Sequence, residues 1–555
     1  MELEQKILSK VYYKSLLPNM IAILGGTINV LFDGILVGRR LGEIGIASVN
    51  QSLAVYLLLC TIGSMIAAGA SAESASAIGG NCMNKSQEFF SLALEAAVIL
   101  GIIISIAGCL VSGMLAEFLG SQDSKGLVYT YIWITFAGGI FKILLYIPFF
   151  YLRLDGKTKQ SAIAMLVMTV INIVLDYVFL FTYDWGIAGA AFASVIASAV
   201  ACVMSFVFLF GKNGSFHFKF VAPKKELLAR IVSSGSPIAS NNLFSAVRII
   251  CLNLIMNQVG GSELVAIFAI TNSVNEFSIC IQNGIPQSAS ALLGISYGEK
   301  DRVSVKKLLR LQVITGFVFS VIFAIVLSIG SSYIGSLFGS HQNVNIAIIC
   351  LAISIVIGTC NSVMTYYYYA TMDSKMANLI TVLRVFVFTV LAAWLLKPVK
   401  EWIWLFYIIG ELTTMCCWLM AVRLRKKSEL EEEKCIQFSV NCDTEAICEA
   451  SEKIQEFCEN SGFTMEQAMK ISLALEELLI ITADKSMDNQ GNMEVRILKT
   501  ETEGILRIRS EGKRYNPLEF AEDSLDFLGV KMIMKMAKRT EYQSTLGLNT
   551  LIVFV

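Results

Sequence analysis

From about residue 16 to residue 422 the chain alternates long apolar runs with short polar joints. The runs lie near 16–38, 44–68, 89–115, 127–152, 160–182, 186–211, 237–259, 263–294, 308–338, 344–371, 376–397 and 401–422. A helix needs about 20 apolar residues to cross a hydrocarbon core of about 30 Å, so twelve membrane-spanning helices are predicted. The joint at 213–236 stands apart, being polar, basic and interrupted by Pro223. It reads as a linker between a six-helix lobe at 1–212 and a second at 237–425. Landmarks repeat between the halves. Pro18 and Pro237 each open a first span, "ASAIGGNCMNKSQ" (75–87) echoes "ASALLGISYGEKD" (289–301), and "YLRLDGKTKQSA" (151–162) echoes "YYATMDSKMANL" (368–379). Parallel repeats about a central pathway are a transporter design.

Past 425 the pattern changes. Residues 426–434 form a charged linker, and 435–555 mix two periods. Helical spacing runs through 443–460, 464–485 and 524–538, and strand-like patterns occupy 493–499, 504–509 and 549–555. About 120 residues suffice for one small α/β core.

Composition fits a membrane protein, at 55% hydrophobic and only 16% charged. Net charge is zero, which gives no reason to expect a nucleic-acid partner. The 14 cysteines are scattered without C-x-x-C spacing, and His217 and His341 are the two histidines, so a zinc site is not expected. Lys and Arg gather in alternate joints, among them Lys224, Lys225, Arg230, Lys306, Lys307 and "RLRKK" at 423–427. By the positive-inside rule both termini are expected in the cytoplasm of a cell-membrane protein, with the lipid bilayer around the spans.

Against this background a carboxylate inside a span calls for a task. Asp176 sits in "NIVLDYVFLF" (172–181) and Asp33 in "INVLFDGILVG" (28–38). An Asp at a helix centre costs about 2.5–3.5 kcal/mol on insertion scales, and such residues mark ion pathways. Asn172 is one helical turn before Asp176 and shares its face. Two carboxylates and an amide suit H⁺ or Na⁺ as hard, oxygen-seeking cations. Arg248, Glu276 and Glu411 are further candidates for a pathway, whereas Lys142 and Arg384 read as interface or packing residues. "TYYYYA" (365–370) reads as an interfacial aromatic belt.

"LFDGILVGRRLGEIGIAS" (31–48), "LRLDGKTK" (152–159), "NIVLDYVFLF" and "WGIAGAAFASVIAS" (185–198) resemble the multidrug and toxic compound extrusion (MATE) family. In the second half, "GSPIASNNLF" (235–244) and "GISYGEKDR" (294–302) do so too. The resemblance implies two six-helix lobes around a cavity that opens alternately to each side. It implies efflux of small organic solutes against inward H⁺ or Na⁺, with Asp33, Asn172 and Asp176 at the cation site. No other cofactor is expected. Gly34 after Asp33 and the double Arg of "GRRLG" depart from the usual pattern. Physically, the cavity should be apolar and rich in Met and Phe, which suits varied solutes.

The tail resembles the histidine-kinase-type ATPase fold of the anti-sigma-factor-like branch, through "MKISLALEELLIITADKS" (469–486) and "GILRIRSEGKRYNP" (504–517). That resemblance implies an Asn for Mg²⁺, an Asp for adenine and a glycine-rich phosphate turn. Glu476, Glu477, Gly512, Asn516 and Gly529 remain as its framework, but Ile481 stands at the Asn position and Ser510 at the Asp position. The tail is therefore expected to lack ATPase activity and to regulate the transporter or bind a cytosolic protein. The chain is expected to be a cation-coupled exporter and not an enzyme. Its alternatives are a flippase for lipid-linked oligosaccharides or amphiphiles, favoured by a cationic cavity, and a membrane sensor that sequesters a partner.

Overall fold

The computed structural model describes residues 6–211, 214–337, 344–424, 434–499, 504–518, 531, 535 and 537–555. It divides into two compact units, Ser15–Leu424 and a second comprising Arg425–Val555 with Met1–Lys14.

The larger unit is helical throughout. Its elements are α1 (Lys6–Gly79), α2 (Met83–Leu119), α3 (Lys125–Ala137), α4 (Gly139–Leu154), α5 (Thr158–Tyr177) and α6 (Gly186–Leu209) in the first half. In the second half come α7 (Lys225–Gln282), α8 (Gly284–Gly298), α9 (Arg302–Leu337), α10 (Asn345–Ala370), α11 (Ser374–Val382), α12 (Phe388–Leu395) and α13 (Phe406–Leu424). Among the described residues ten helices are long and apolar enough to cross a membrane, or eleven when α3 and α4, bent by 49°, count as one. An unbroken α1 of 74 residues would reach about 110 Å, far beyond a bilayer. It breaks at Gly42, whose φ of 66° only glycine adopts freely, and α7 breaks likewise at Gly260 and Gly261.

Pro18 and Pro237, Gly42 and Gly261, and Gly79 and Gly298 are all separated by one constant spacing. The repeat is thus real in the backbone, with Asn81 and Lys300 both left-handed in the turns that follow. Its register pairs Gly79 with Gly298 and differs from the pairing of 75–87 with 289–301 read from composition. A one-turn π segment also recurs, Val178–Thr182 after α5 and Leu383–Val387 after α11.

The linker expected at 213–236 is in part helix. Lys225 onward belongs to α7, because Ile231 buries on the bundle and Arg230 pairs with Glu73. The two halves come closest here. A Cβ on Gly69 would overlap the Ile231 carbonyl, one on Gly235 the Met65 carbonyl, and one on Gly79 the Ile295 carbonyl. Ser234 donates to Glu73 at 2.8 Å and Tyr369 to the Ala68 carbonyl at 2.6 Å.

The smaller unit has β1 (Lys434–Asn441), α14 (Thr444–Asn460), α15 (Met465–Met487), β2 (Asn492–Lys499), β3 (Gly504–Glu511), β4 (Arg539–Thr545) and β5 (Leu548–Phe554). The strands form one antiparallel sheet in the order β1-β2-β3-β5-β4. Val495, Ile497, Ile508 and Leu551 face a core shared with Ile454, Leu475 and Leu478 of the two helices. Lys434, assigned to the charged linker, opens β1 instead, since Ile436, Phe438 and Val440 alternate toward that core. Residues 6–14 of α1 group with this unit, and Lys10 pairs with Glu511. His341, Gly529 and most of the helix expected at 524–538 lie outside the described residues.

Burial pushes the Cys458 thiol up to about 12, with Lys499 opposing and Glu459 adding to the shift. The thiolate is the nucleophile, so at pH 8 Cys458 should alkylate on the order of a thousand times more slowly than an unperturbed thiol. Mass spectrometry after brief iodoacetamide treatment should find exposed Cys435 and Cys448 modified and Cys458 intact.

Candidate functional site

α1 and α5 lie side by side, tied by Thr169 Oγ1 donating to the Gly25 carbonyl at 3.0 Å. Each carries the spacing N-x-x-x-D, Asn29–Asp33 on α1 and Asn172–Asp176 on α5. Residues four apart share a helix face, so the two faces meet as one polar cluster in an apolar bundle. Asp33 and Asp176 approach within hydrogen-bonding reach of each other. Asp176 is fully buried and Asn172 is 1% exposed. In the amide orientation that satisfies both ends, Asn172 Nδ2 donates to Asn29 Oδ1 at 2.7 Å and to Asp33 Oδ1 at 3.2 Å. Its oxygen accepts from the Ser194 amide at 3.2 Å and hydroxyl at 3.3 Å. Tyr131 lies within electrostatic range of both acids.

Asp176 Oδ1 is buried with no hydrogen-bond partner. Two carboxylates in contact need a proton or a metal cation between them, and an idle oxygen offers a further lone pair to it. The π segment begins two residues past Asp176, and such segments gather at functional sites. Arg40, one of the two unusual arginines, pins that segment by bonding the Leu180 carbonyl at 3.2 Å and pairing with Asp184 at 2.7 Å.

The second half is built differently. Arg384 Nε meets both oxygens of Glu411, at 3.0 and 3.1 Å, and its NH2 group meets Gln282. Asn361 donates to Glu411 Oε2 at 2.7 Å and accepts from Trp418 at 2.8 Å. Arg384 is therefore the permanent partner of Glu411 rather than a packing residue, and Glu411 is neutralised in place. Arg248 is the charged neighbour of Glu276. By the repeat spacing Arg248 occupies the position of Asn29, and Leu252 that of Asp33.

A cavity of about 240 Å³ lies between the halves, lined by α1, α4, α5 and α6 and by Ile238, Asn242 and Gln287 of the second half. Met165, Met168, Phe149 and Phe150 give it the expected apolar wall, but Lys142 and Arg153 also line it. A smaller cavity of about 80 Å³ shares Ile238 and Asn242 with it and is lined by Tyr366, Tyr369 and Arg384. Tyr366 and Tyr369 thus belong to the interior and not to an interfacial belt.

The MatE family model matches residues 18–178 and 237–395. The chain belongs to the MATE family. It is a multi-pass membrane protein of a transporter family. The multidrug export protein MepA of Staphylococcus saprophyticus subsp. saprophyticus is 23% identical over 376 residues, covering 66% of this chain and 82% of the relative. MepA of Staphylococcus aureus (strain NCTC 8325 / PS 47) is 24% identical over 378 residues with the same coverage. Among solved structures, a crystal structure of MATE in complex with MaL6 matches with a TM-score of 0.72 at 21% identity, over 75% of this chain and 96% of that one. An outward-facing MATE transporter of the MOP superfamily matches with a TM-score of 0.71 at 20% identity and the same coverage.

In this MATE chain's smaller unit the framework residues have local duties. A Cβ on Gly512 would overlap the Ser486 carbonyl, so the glycine is required by close approach to α15. Asn516 Oδ1 accepts from the Leu518 amide at 3.1 Å, an Asx turn. Ser486 and Asn549 both bond to the Lys513 carbonyl, at 2.8 and 2.9 Å. Glu476 is half-buried and Glu477 exposed, while Ile481 packs against the core. Burial and then Glu476 push the Glu477 carboxyl up.

Proposed function

We propose that this chain expels small organic solutes across the cell membrane by antiport against H⁺ or Na⁺. The observation that carries the reading is the contact of Asp33 with Asp176 and the idle, buried Asp176 Oδ1. An ion can come and go there, whereas Glu411 in the other half is already paired. Ion binding removes negative charge from a low-dielectric site and so changes the relative stability of the two access states. The family and the MepA relatives support efflux as the direction. Twelve crossings follow when α3 and α4 form one span and Lys225–Gly298 forms two, divided at Gly260–Gly261. Loop charge favours both termini in the cytoplasm.

The test uses the purified full chain in lipid vesicles loaded with a fluorescent organic solute. Efflux should accelerate under an inward gradient of one of the two cations. No acceleration under either gradient removes the antiport reading.

For residues 434–555 the antiparallel sheet with two long helices is consistent with a histidine-kinase-type ATPase fold that has lost its chemistry. Its role in this proposal is regulation of the transporter through a cytosolic protein partner. Titrating the full chain with ATP and Mg²⁺ should give no saturable binding, because Ile481 offers no oxygen to the metal and Ser510 no carboxylate to adenine.

A further inference from the structure

Two basic side chains, Lys142 and Arg153, line the larger cavity. Lys142 is 4% exposed and lies 4.3 Å above the centre of the Tyr56 ring. Arg153 stacks 5.5 Å from the centre of the Phe150 ring, and its Nε is buried without a hydrogen-bond partner. Among the described residues no carboxylate lines this cavity or the smaller one beside it. Asp33 is the acid within electrostatic range of Lys142, and no ion pair joins them among the described residues. Asp33 is also engaged elsewhere, with Asp176 and Asn172. Arg384 reaches the smaller cavity but its charge is held by Glu411.

Burying an unpaired cation is costly and is tolerated where a partner of opposite charge arrives. An organic cation would meet repulsion from both groups in a medium of low dielectric. An acidic group would accept charge-assisted hydrogen bonds from either. The rest of the wall is aromatic and thioether, which suits a flat or aliphatic body.

We propose that the solute is an organic anion, its acidic group at Lys142 or at Arg153, which stand about 16 Å apart along α4, and its apolar body against Tyr56, Tyr146, Phe149 and Met165. As a statement about a transported solute this rests on the efflux reading above. As a statement about binding it does not. The acidic group belongs either to a free aromatic acid or to the head of a lipid-like amphiphile, and the recognition is the same.

Three ligands with one ring separate charge from shape: 2-naphthoate, 2-naphthamide and 2-naphthyltrimethylammonium. Equilibrium dialysis with the purified full chain should rank them in that order, with naphthoate at least about ten-fold tighter than the ammonium ion. Of Lys142→Gln and Arg153→Gln, the one that removes the partner of the acidic group should weaken naphthoate by about ten- to a hundred-fold, the worth of a hydrogen bond to a charged group. Lys142→Arg should keep most of the affinity. Competition by dihexanoyl phosphatidic acid without competition by glycerol 3-phosphate assigns the site to a lipid-like amphiphile, and the reverse assigns it to a free acid. Equal or tighter binding of the ammonium ion overturns the proposal, and this comparison needs no variant. So does naphthoate binding that is unchanged in both Gln variants. Charge-selective binding of naphthoate with no gradient-driven movement upholds the anion site and removes the efflux reading instead.

Discussion

Asp176→Asn should reduce cation-driven efflux by at least about 100-fold, equivalent to about 2.7 kcal/mol, while leaving the amount of folded protein unchanged. Asn has nearly the shape of Asp but carries no charge and puts an NH2 donor where an acceptor oxygen was. Taking an ionisable group out of a fully buried position does not cost stability, because the charged form was the expensive one. What disappears is the exchangeable ligand. Asp33→Asn should behave alike, since each carboxylate faces the other. Asn172→Ala should be milder, because Asn29 and Ser194 still contribute polar atoms to the cluster. The measurement is efflux from vesicles under the effective gradient, paired with size-exclusion profiles. Wild-type rates in both Asp variants would show that the ion is bound elsewhere.

The second large effect concerns the end of the bundle where Gly69, Gly79, Gly235 and Gly298 meet carbonyls of the opposite half. Backbone against backbone leaves no side chain to give way, so a larger residue must push the halves apart. Overpacking costs about 1–3 kcal/mol at one site, and inverting a 99:1 equilibrium takes about 5.5 kcal/mol. The double variant Gly69→Leu with Gly235→Leu should therefore hold this end open and stop turnover, with solute still bound. A cysteine placed at buried Ser234 should become reactive to a soluble maleimide only in that background. If it stays protected, the contact is not a closing surface.

How legible the site was depended on what kind of signal each residue gives. Asp33 and Asp176 stand out in sequence because a charge in an apolar run is rare and expensive. Asn29 was within reach too, since the N-x-x-x-D spacing occurs on both helices. Tyr131 and Ser194 carry no such mark, as an aromatic and a small polar residue are ordinary in a membrane helix and only packing brings them to the acids. The twelve apolar runs locate the helices, yet they do not mark the start of α7 at Lys225, because a helix leaving the bilayer turns polar without ending. In the smaller unit β1 was hidden behind the acidic run at its start. The polar strand β4 has little apolar alternation and is held by its ladder to β5. Lys142 and Arg384 each look like an interface residue in the sequence, because the role of a lone cation in a span shows only in its neighbours.

The two halves share one backbone plan but not one distribution of charge. Where the first has Asn29 and Asp33, the second has Arg248 and Leu252, a fixed cation and a hydrocarbon. On the antiport proposed above, the exchange station at Asp33 then has no counterpart at Leu252, and the cycle turns on that single station. With one monovalent ion per turnover, accumulation can rise only with the first power of the ion ratio, whereas two such stations would square it. Voltage makes up part of the difference. An anion leaving as a cation enters moves two charges in the same electrical sense, each worth about 2.3 kcal/mol per 100 mV.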